Sequence, residues 1–597
     1  MKDQREYFEV NDTFIKTTVK RYMTPSVTAL IGTTLTIVAN SIIVGNYIGA
    51  DGLAAINVLN PIYFAFATLG GLIHVGASTN ASVCIGKNDM ERANSYATLA
   101  FCLSIVFSFL LTFCGFICFF QMIQVLGSTE RIESYVVDYG VILLAGGSAV
   151  SFMYYPFNFL KADGRPKSGT YMFIVMFLLD LLFCIIFVWK LDMGIMGVAL
   201  SFVLSTFLGD IYGGCLLYNK QALFTFGEVK DVWKSTAEVI KTGSSMAINN
   251  LCNIFRTIVL NYIILNAMSE EGLTVFAVIG SVNSFSNGVI SGIAQTITPL
   301  IGVFYGERDN ISIKTVVREA VKKGTKGIVV MTLFISAFAK QIGAVFGVTE
   351  VPMLVPAIVM FAVSFLPGMF NNLYIFYYFT AEKIALSNVL TVLRGFVIPI
   401  LSAAYFVCCG TPEFIWLSFA VSEFVTFLVM SMAAWVKCRK NKNIKGLLLL
   451  DSRYEETDRY LAFSVKNEPL EASIAAEKIS IFCKEKKMSS KTAMAICLAV
   501  EEMLLIIFEH CLLDTGKQYA DVRIVRMGEK IILYMRCAGE LFDPIAYYRK
   551  RKLEVGDEVL IDDSLGIEMI VKQAADVMFS RTFGMNNLTI IIYERNE

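Results

Sequence analysis

Charge is scarce in this chain. Only 17% of its 597 residues are Asp, Glu, Lys or Arg, while 55% are hydrophobic. A soluble globular protein carries about 25% charged residues, so much of this chain is solvated by something other than water. The deficit lies between residues 24 and 436, and the composition after about 455 is that of an ordinary soluble domain. No cleavable leader is expected, because "MKDQREYFEV" is polar and acidic where a signal peptide needs a basic start and an apolar core. The 14 cysteines supply no framework. Most, such as Cys102, Cys114, Cys118 and Cys184, lie inside apolar runs, and the adjacent Cys408 and Cys409 read as small packing residues near a membrane boundary. No CxxC pair has a partner, which excludes a zinc site of that type, and no metal is expected. A net charge of +0 argues neither for nor against nucleic acid, and no nucleic-acid partner is expected.

What the chain does have is long apolar runs. A bilayer core of about 30 Å needs roughly 20 such residues per helix. Twelve spans are predicted, numbered here one to twelve: 24–48, 54–83, 94–120, 134–158, 169–189, 194–217, 243–265, 273–301, 322–342, 351–379, 386–409 and 412–436. Lys16, Lys20, Arg21, Lys87, Arg92, Lys161, Arg165, Lys167, Lys230, Lys234, Lys241 and Arg308 fall in loops or tails of one side, with "REAVKKGTK" and "KCRKNKNIK". The opposite side has Arg131, Lys190 and Lys340. That asymmetry puts both termini in the cytoplasm of a multi-pass cell-membrane protein, read as bacterial.

The membrane part repeats itself. A shift of 220 residues aligns "GLAAINVLNPIYFAF…VCIGKND" with "GLTVFAVIGSVNSFS…GVFYGERD", so Gly52 meets Gly272, Gly86 meets Gly306 and Asp89 meets Asp309. "FLKADGRPKS" meets "YFTAEKIALS" at a shift of 219. Six spans per half, an even number, give both halves the same orientation. Their pseudo-twofold axis then runs along the membrane normal, the arrangement of a transporter with a central cleft.

Polar groups at membrane depth face a cavity or a partner helix. The predicted substrate cavity comprises Asn57, Asn60, Asn253, Arg256, Asn283, Asn287, Asn371 and Asn372. For any single Asn the simpler reading is an interhelical hydrogen bond. Asp180 in "FLLDLLFCIIF" and Glu423 in "FAVSEFVTFLV" lie near mid-bilayer, where desolvation disfavours the charged form and suits proton uptake and release. A structural ion pair of Glu423 with Arg256 or Arg394 is the alternative.

Several of these stretches resemble the multidrug and toxic compound extrusion (MATE) family. They are "ANSIIVGNYIGADGLAAINV", "STNASVCIGKNDMERAN", "FLLDLLFCIIFVWKLDMGIMGVALSFVLS", "GIAQTITPLIGVFYGERD" and "YYFTAEKIALSNVLTVLRGF", and the resemblance covers residues 20–437. The resemblance implies a two-lobed, twelve-helix antiporter that exports organic cations or drugs against inward H⁺ or Na⁺. It also implies an acid in span one, where this chain has Asn40, and an Asn four residues before Asp180, where it has Met176. The family's sodium-site Glu and Asp in spans seven and ten are met here by Asn253 and Arg256, and by Asn371 and Asn372. Asp180, Glu423 and Asn40 are therefore the candidates for ion coupling.

The soluble end reads as two helices, "ASIAAEKISIFCKEKK" and "SKTAMAICLAVEEMLLIIFEHCL", a hairpin of "YADVRIVRMG" with "KIILYMRCAG", a helix "SLGIEMIVKQAADV" and a closing hairpin. It resembles the histidine-kinase-like (GHKL) ATPase domain of the anti-sigma-factor kinase type. Glu502 falls at that family's water-activating Glu, Ile506 at its Mg²⁺-binding Asn, and Cys537 at its adenine-reading Asp. Gly539, Gly566 and Asn586 complete the vestigial nucleotide site. An apolar Ile binds no Mg²⁺ and a neutral Cys does not replace a carboxylate, so the implied domain is non-catalytic. Glu501, Glu502, Glu509 and His510 then form a solvated helix face, with Met503, Leu504, Ile507 and Cys511 buried.

The expectation is an all-α polytopic membrane protein of twelve transmembrane helices in two six-helix repeats, followed by a cytosolic α/β two-layer sandwich. Its parts are an N-terminal segment (1–22), two lobes (23–218 and 241–437) joined by a cytoplasmic linker (219–240), a basic linker (438–459) and the ATPase-like domain (460–597). Expected partners are the lipid bilayer, a small organic substrate and a cytosolic regulatory protein at 460–597; the expected activity is secondary transport, not enzymatic. A lipid or polysaccharide flippase of the same superfamily and a membrane sensor signalling through its tail are the alternatives.

Overall fold

A computed structural model describes the chain except for residues 1, 127–129, 220–221, 347–350, 453–459, 513–518, 528, 538, 556–569, 571, 573 and 595–597. Some side chains within helices, that of Asn57 among them, are also outside the description. The chain forms two compact units, Val19–Leu450 and Asp451–Glu597 with Met1–Thr18.

The first unit is almost entirely helical. Among the described residues ten helices are long and apolar enough to cross a bilayer, or eleven if Asn310–Ala337 and Ala339–Val345, bent by 67°, form one span. This is short of the twelve expected. Predicted span one, 24–48, falls in the helix Lys2–Tyr47, several of whose side chains lie outside the description. Spans seven and eight run on as Val232–Gly306, and the expected loop between them is only a break at Ser269, whose φ is 57°. π-helical turns interrupt spans two, five and eleven at Gly71–Val75, Ile185–Lys190 and Leu393–Val397. Such turns are frequent at functional sites, and the last of them contains Arg394.

The internal repeat is visible in its turns. After span two Asn88 adopts φ 58° and Asp89 caps the next helix, accepting from Arg92 N at 3.0 Å. After span eight Arg308 adopts φ 57° and Asp309 accepts from Ser312 N at 3.0 Å. Between these turns the halves meet in a seam that obeys the same symmetry. A methyl group on Gly86 would strike the Val303 carbonyl, and one on Gly306 would strike that of Val83, the residue equivalent to Val303. Gly302 faces its equivalent Ser82, whose Cβ would lie 2.6 Å from a methyl group there. Only a missing Cβ lets two helix backbones come this close. The close approaches lie at the end that carries the basic loops.

At that same end, the segment that follows span twelve is clamped to the second lobe. Tyr377 Oη donates to Leu448 O at 2.8 Å, Tyr378 Oη to Leu447 O at 2.7 Å, and Lys383 Nζ to Leu448 O at 2.9 Å. A short ribbon of β1 (Ile444–Lys445) and β2 (Leu450–Asp451) accompanies it.

The second unit contains one antiparallel sheet in the order β3-β4-β5-β7-β6. Its strands are β3 (Tyr460–Lys466), β4 (Tyr519–Met527), β5 (Lys530–Cys537), β6 (Asp576–Thr582) and β7 (Met585–Tyr593). The helices Pro469–Glu485 and Ser490–His510 share a core with it, built from Ile479, Val500, Met503, Leu504, Val522, Leu533 and Ile590. The sequence reading missed β3, although Leu461, Phe463 and Val465 alternate along it and pack on this core, and the helix Pro544–Val555. Asp576 and Val577, predicted to end a helix, open β6 instead; most of that predicted helix lies outside the described residues.

Candidate functional site

Span five carries Asp180 on its buried face, almost fully enclosed at 1% exposure. Asn40 of span one reaches it, Nδ2 donating to Asp180 Oδ2 at 2.9 Å. Ser201 of span six and Tyr139 of span four lie beside the same carboxylate. Four helices of the first lobe thus converge on one acid, and no basic side chain is among its partners. Met176, in place of the family's Asn, packs against Gly209 instead of binding polar groups. This acid has amide and hydroxyl neighbours that tolerate either protonation state.

Glu423 is held differently. Arg394 Nε donates to its Oε1 at 2.6 Å, and Asn371 Nδ2 donates to its Oε2 and its backbone carbonyl, each at 2.7 Å. Gly368 lets this pair approach its helix, because a Cβ there would lie 3.2 Å from Glu423 Oε1. Arg256 lies over the Phe419 ring at 5.3 Å. Among the described residues Arg394 is the guanidinium that pairs with Glu423, and Arg256 makes no ion pair, its cation lying against an aromatic face.

The other amides divide. Asn372 Nδ2 reaches Ser291 Oγ at 3.4 Å and lines a small cavity with Ser245, Asn249, Thr391 and Arg394. Asn287 donates to Asn283 at 2.8 Å one helical turn away. Asn371 gives its Nδ2 to Glu423 and does not line that cavity. Asn253 and Asn60 are half-buried in their helices, and the side chain of Asn57 lies outside the description.

Two of the buried charges outside the predicted set lie among the transmembrane helices. Asp210 of span six is buried with Oδ1 unpartnered, and its place inside the apolar run "VLSTFLGDIYGG" was a legible signal. Lys161 was expected in an inner loop but is only 3% exposed. It extends the helical face of Asn158, three residues earlier, and that spacing was the available clue.

In the second unit Ile506 is buried in the hydrophobic core. Glu502 is partly exposed and Glu501 accepts from Ser473 Oγ at 2.6 Å. Asn586 Nδ2 donates to Glu540 O at 2.6 Å and contacts Cys511 Sγ at 3.4 Å and Cys537 Sγ at 3.7 Å. The hydrogen bond to Cys511, together with burial, holds the Cys537 thiol protonated, its pKa well above the usual range. Gly539 lies against the Cys511 carbonyl, where a Cβ would not fit. His510 stacks on Phe542 with ring centroids 4.4 Å apart. Its ring is therefore part of an aromatic cluster and not of an open solvated face. Gly566 lies outside the described residues.

Comparison with known proteins agrees with this geometry. Residues 25–186 match the MatE family model. The multidrug export protein MepA of Staphylococcus saprophyticus subsp. saprophyticus is 19% identical over 307 residues, covering 50% of this chain and 67% of that one. A crystal structure of MATE in complex with MaL6 superposes with a TM-score of 0.67 at 21% identity, covering 72% of this chain and 97% of that one. An outward-facing multidrug resistance MATE family transporter of the MOP superfamily gives the same values. A MOP superfamily transporter from Pyrococcus furiosus, whose reversed binding-pocket polarity suggests a different function for it, gives 0.66 at 22%, over 71% and 96% of the chains. The first unit is thus a multi-pass membrane bundle with the MATE transporter fold. The matches support a MATE-type transporter.

Proposed function

We propose that the chain is a secondary active transporter of MATE type that exports small organic molecules by alternating access of its two lobes, coupled to H⁺ or Na⁺ through Asp180. The observation that carries this reading is the enclosed Asp180 carboxylate, held by Asn40 from a neighbouring span with no basic partner. A carboxylate in that setting gains or loses a cation without breaking an ion pair. Asn40 then orients the coupling acid and does not titrate. Glu423 serves mainly to neutralise Arg394, which supports a structural role for it. The seam of Gly86, Gly302 and Gly306 is the inner closure that alternating access must open. The second unit is a non-catalytic regulatory or docking domain for a cytosolic partner, supported by the buried Ile506 and by Cys537 in the places where Mg²⁺ and adenine need polar ligands.

The test uses the full chain in proteoliposomes with a panel of organic solutes under imposed H⁺ or Na⁺ gradients. Gradient-driven flux should vanish in Asp180→Asn while the variant remains folded. Undiminished ion-driven flux in that variant would remove Asp180 from the coupling role. Binding of a fluorescent ATP analogue with Mg²⁺ to the full chain would overturn the non-catalytic reading of the tail.

A further inference from the structure

The polar space between the lobes has charge of one sign. Two small cavities share Phe376 as a wall. One lies between spans two and four of the first lobe and eight and ten of the second, with Ser78, Asn158, Lys161, Gln295 and Thr298 in its lining. The other, in the second lobe, is lined by Asn249, Asn372 and Arg394. Lys161 and Arg394 are the charged residues of the two linings.

Neither cation is fully satisfied. The Lys161 ammonium reaches only Gln295 Oε1 at 3.4 Å and the face of the Phe157 ring at 4.5 Å. Among the described residues no carboxylate pairs with it. The Thr298 hydroxyl on the opposite wall is buried and has no hydrogen-bond partner. Arg394 uses Nε on Glu423, and its two Nη atoms donate no hydrogen bond among the described residues. The buried acids of this unit lie outside both linings: Asp163 pairs with Arg165, Asp180 is held by Asn40, Glu423 by Arg394 and Asp309 by Ser312, and Asp210, Glu307 and Glu319 line neither cavity. A buried ammonium without a counter-charge is costly, and an aromatic face offsets that only in part. An organic cation entering here would add a like charge. An anion would complete the site, giving Lys161 its counter-charge and Thr298 an acceptor.

We propose that this small cavity is the seat for the carboxylate of an organic anion or zwitterion, held by Lys161, Gln295 and Thr298. The substrate class departs from the organic cations that the family resemblance implies. It rests on the transporter reading only in making the bound molecule the one that is moved.

The experiment takes the full chain in detergent micelles and measures thermal stabilisation by a size-matched panel of aryl carboxylates and aryl ammonium compounds, 2-naphthylacetate against 2-naphthylethylammonium being the first pair. Carboxylates should stabilise the wild type in a saturable way. Affinity should fall roughly 10- to 100-fold in Lys161→Met, the loss expected for a hydrogen bond to a charged group. Lys161→Arg should retain most of it. Should Lys161→Met not fold, Thr298→Val removes only a hydroxyl, and the carboxylates should weaken by roughly 2- to 10-fold. The proposal is overturned if no carboxylate binds, if only the ammonium compounds do, or if Lys161→Met binds carboxylates as well as the wild type. Proteoliposome flux separates the two readings. A carboxylate bound at Lys161 but moved by no gradient sinks the transporter reading and leaves the site standing; a gradient-driven ammonium compound does the reverse.

Discussion

Replacing Gly86 by alanine adds a single methyl group to the seam between the lobes. Its Cβ would meet the Val303 carbonyl oxygen, with the carbonyl carbon at 2.8 Å and the Val303 Cα at 2.9 Å. Ordinary van der Waals contact begins near 3.4 Å, so the two helices must part by roughly 0.6 Å at that carbon, and further at the oxygen. Neither side can yield by a rotamer change, because the obstacle is backbone. Overpacking a close interface costs about 1–3 kcal/mol, which is roughly a 5- to 150-fold shift between two states. Only the state with the seam closed bears that cost, so the inner end should open more often. The readout is labelling of Ser82→Cys, on the seam itself, by a membrane-impermeant maleimide in inside-out vesicles, quantified at that site by mass spectrometry. Gly280→Ala is the control, since nothing lies within 4 Å of a Cβ there. Labelling no faster in Gly86→Ala than in Gly280→Ala would show that this seam does not hold the inner end shut.

Three further outcomes are expected. Glu423→Gln should destabilise the detergent-solubilised protein by about 3–5 kcal/mol, because it strands the Arg394 guanidinium; Arg394→Met in the same chain should recover much of the loss, and an unchanged melting temperature for Glu423→Gln would refute the pairing argument. Burial and the nearby Lys437 lower Lys383 to about 8. Released from its site it returns to about 10.4 and binds the extra proton between those values, so docking of residues 444–450 should strengthen as pH rises through that window and be flat below it. Hydrogen exchange at pH 7 and 9.5 checks the sign, and Lys383→Met should abolish the dependence. In the second unit Asn586→Ala leaves the Glu540 carbonyl and two buried thiols without their donor, and should cost about 1–3 kcal/mol; because the Asn586 amide helps hold the Cys511 pKa down, its loss should slow alkylation of the Cys511 thiolate at a given pH, and thiol reactivity equal to that of the wild type would count against the shared hydrogen bond.

Much of the fold was legible because its signals are local or periodic. Runs of apolar residues placed most spans to within a few positions, and the matched glycines and aspartates after spans two and eight exposed the repeat. The break at Ser269 was not legible, because its unusual φ follows from how two helices pack and not from a turn motif. In the site, Asp180 announced itself as a lone acid in an apolar run. Its pairing with Asn40 joins residues 140 positions apart, which no window along the chain contains. The same holds for Asn371, read as a cavity amide and found on Glu423. Lys161 was misplaced for a simpler reason: a lysine at the end of an apolar run looks like an interfacial residue, and whether it faces water or a neighbouring helix depends on the other lobe.

By itself the sequence determined that most of this chain lives in a membrane, that the membrane part carries an internal repeat, and that a stretch of ordinary soluble composition follows it. Those properties rest on composition, periodicity and residue chemistry, which need no partner in space. Tertiary structure decided which buried charges are neutralised and which are not. Glu423 lies against a guanidinium, Asp180 against an amide and Lys161 against an aromatic ring, and that difference depends on helices distant in sequence meeting at one depth.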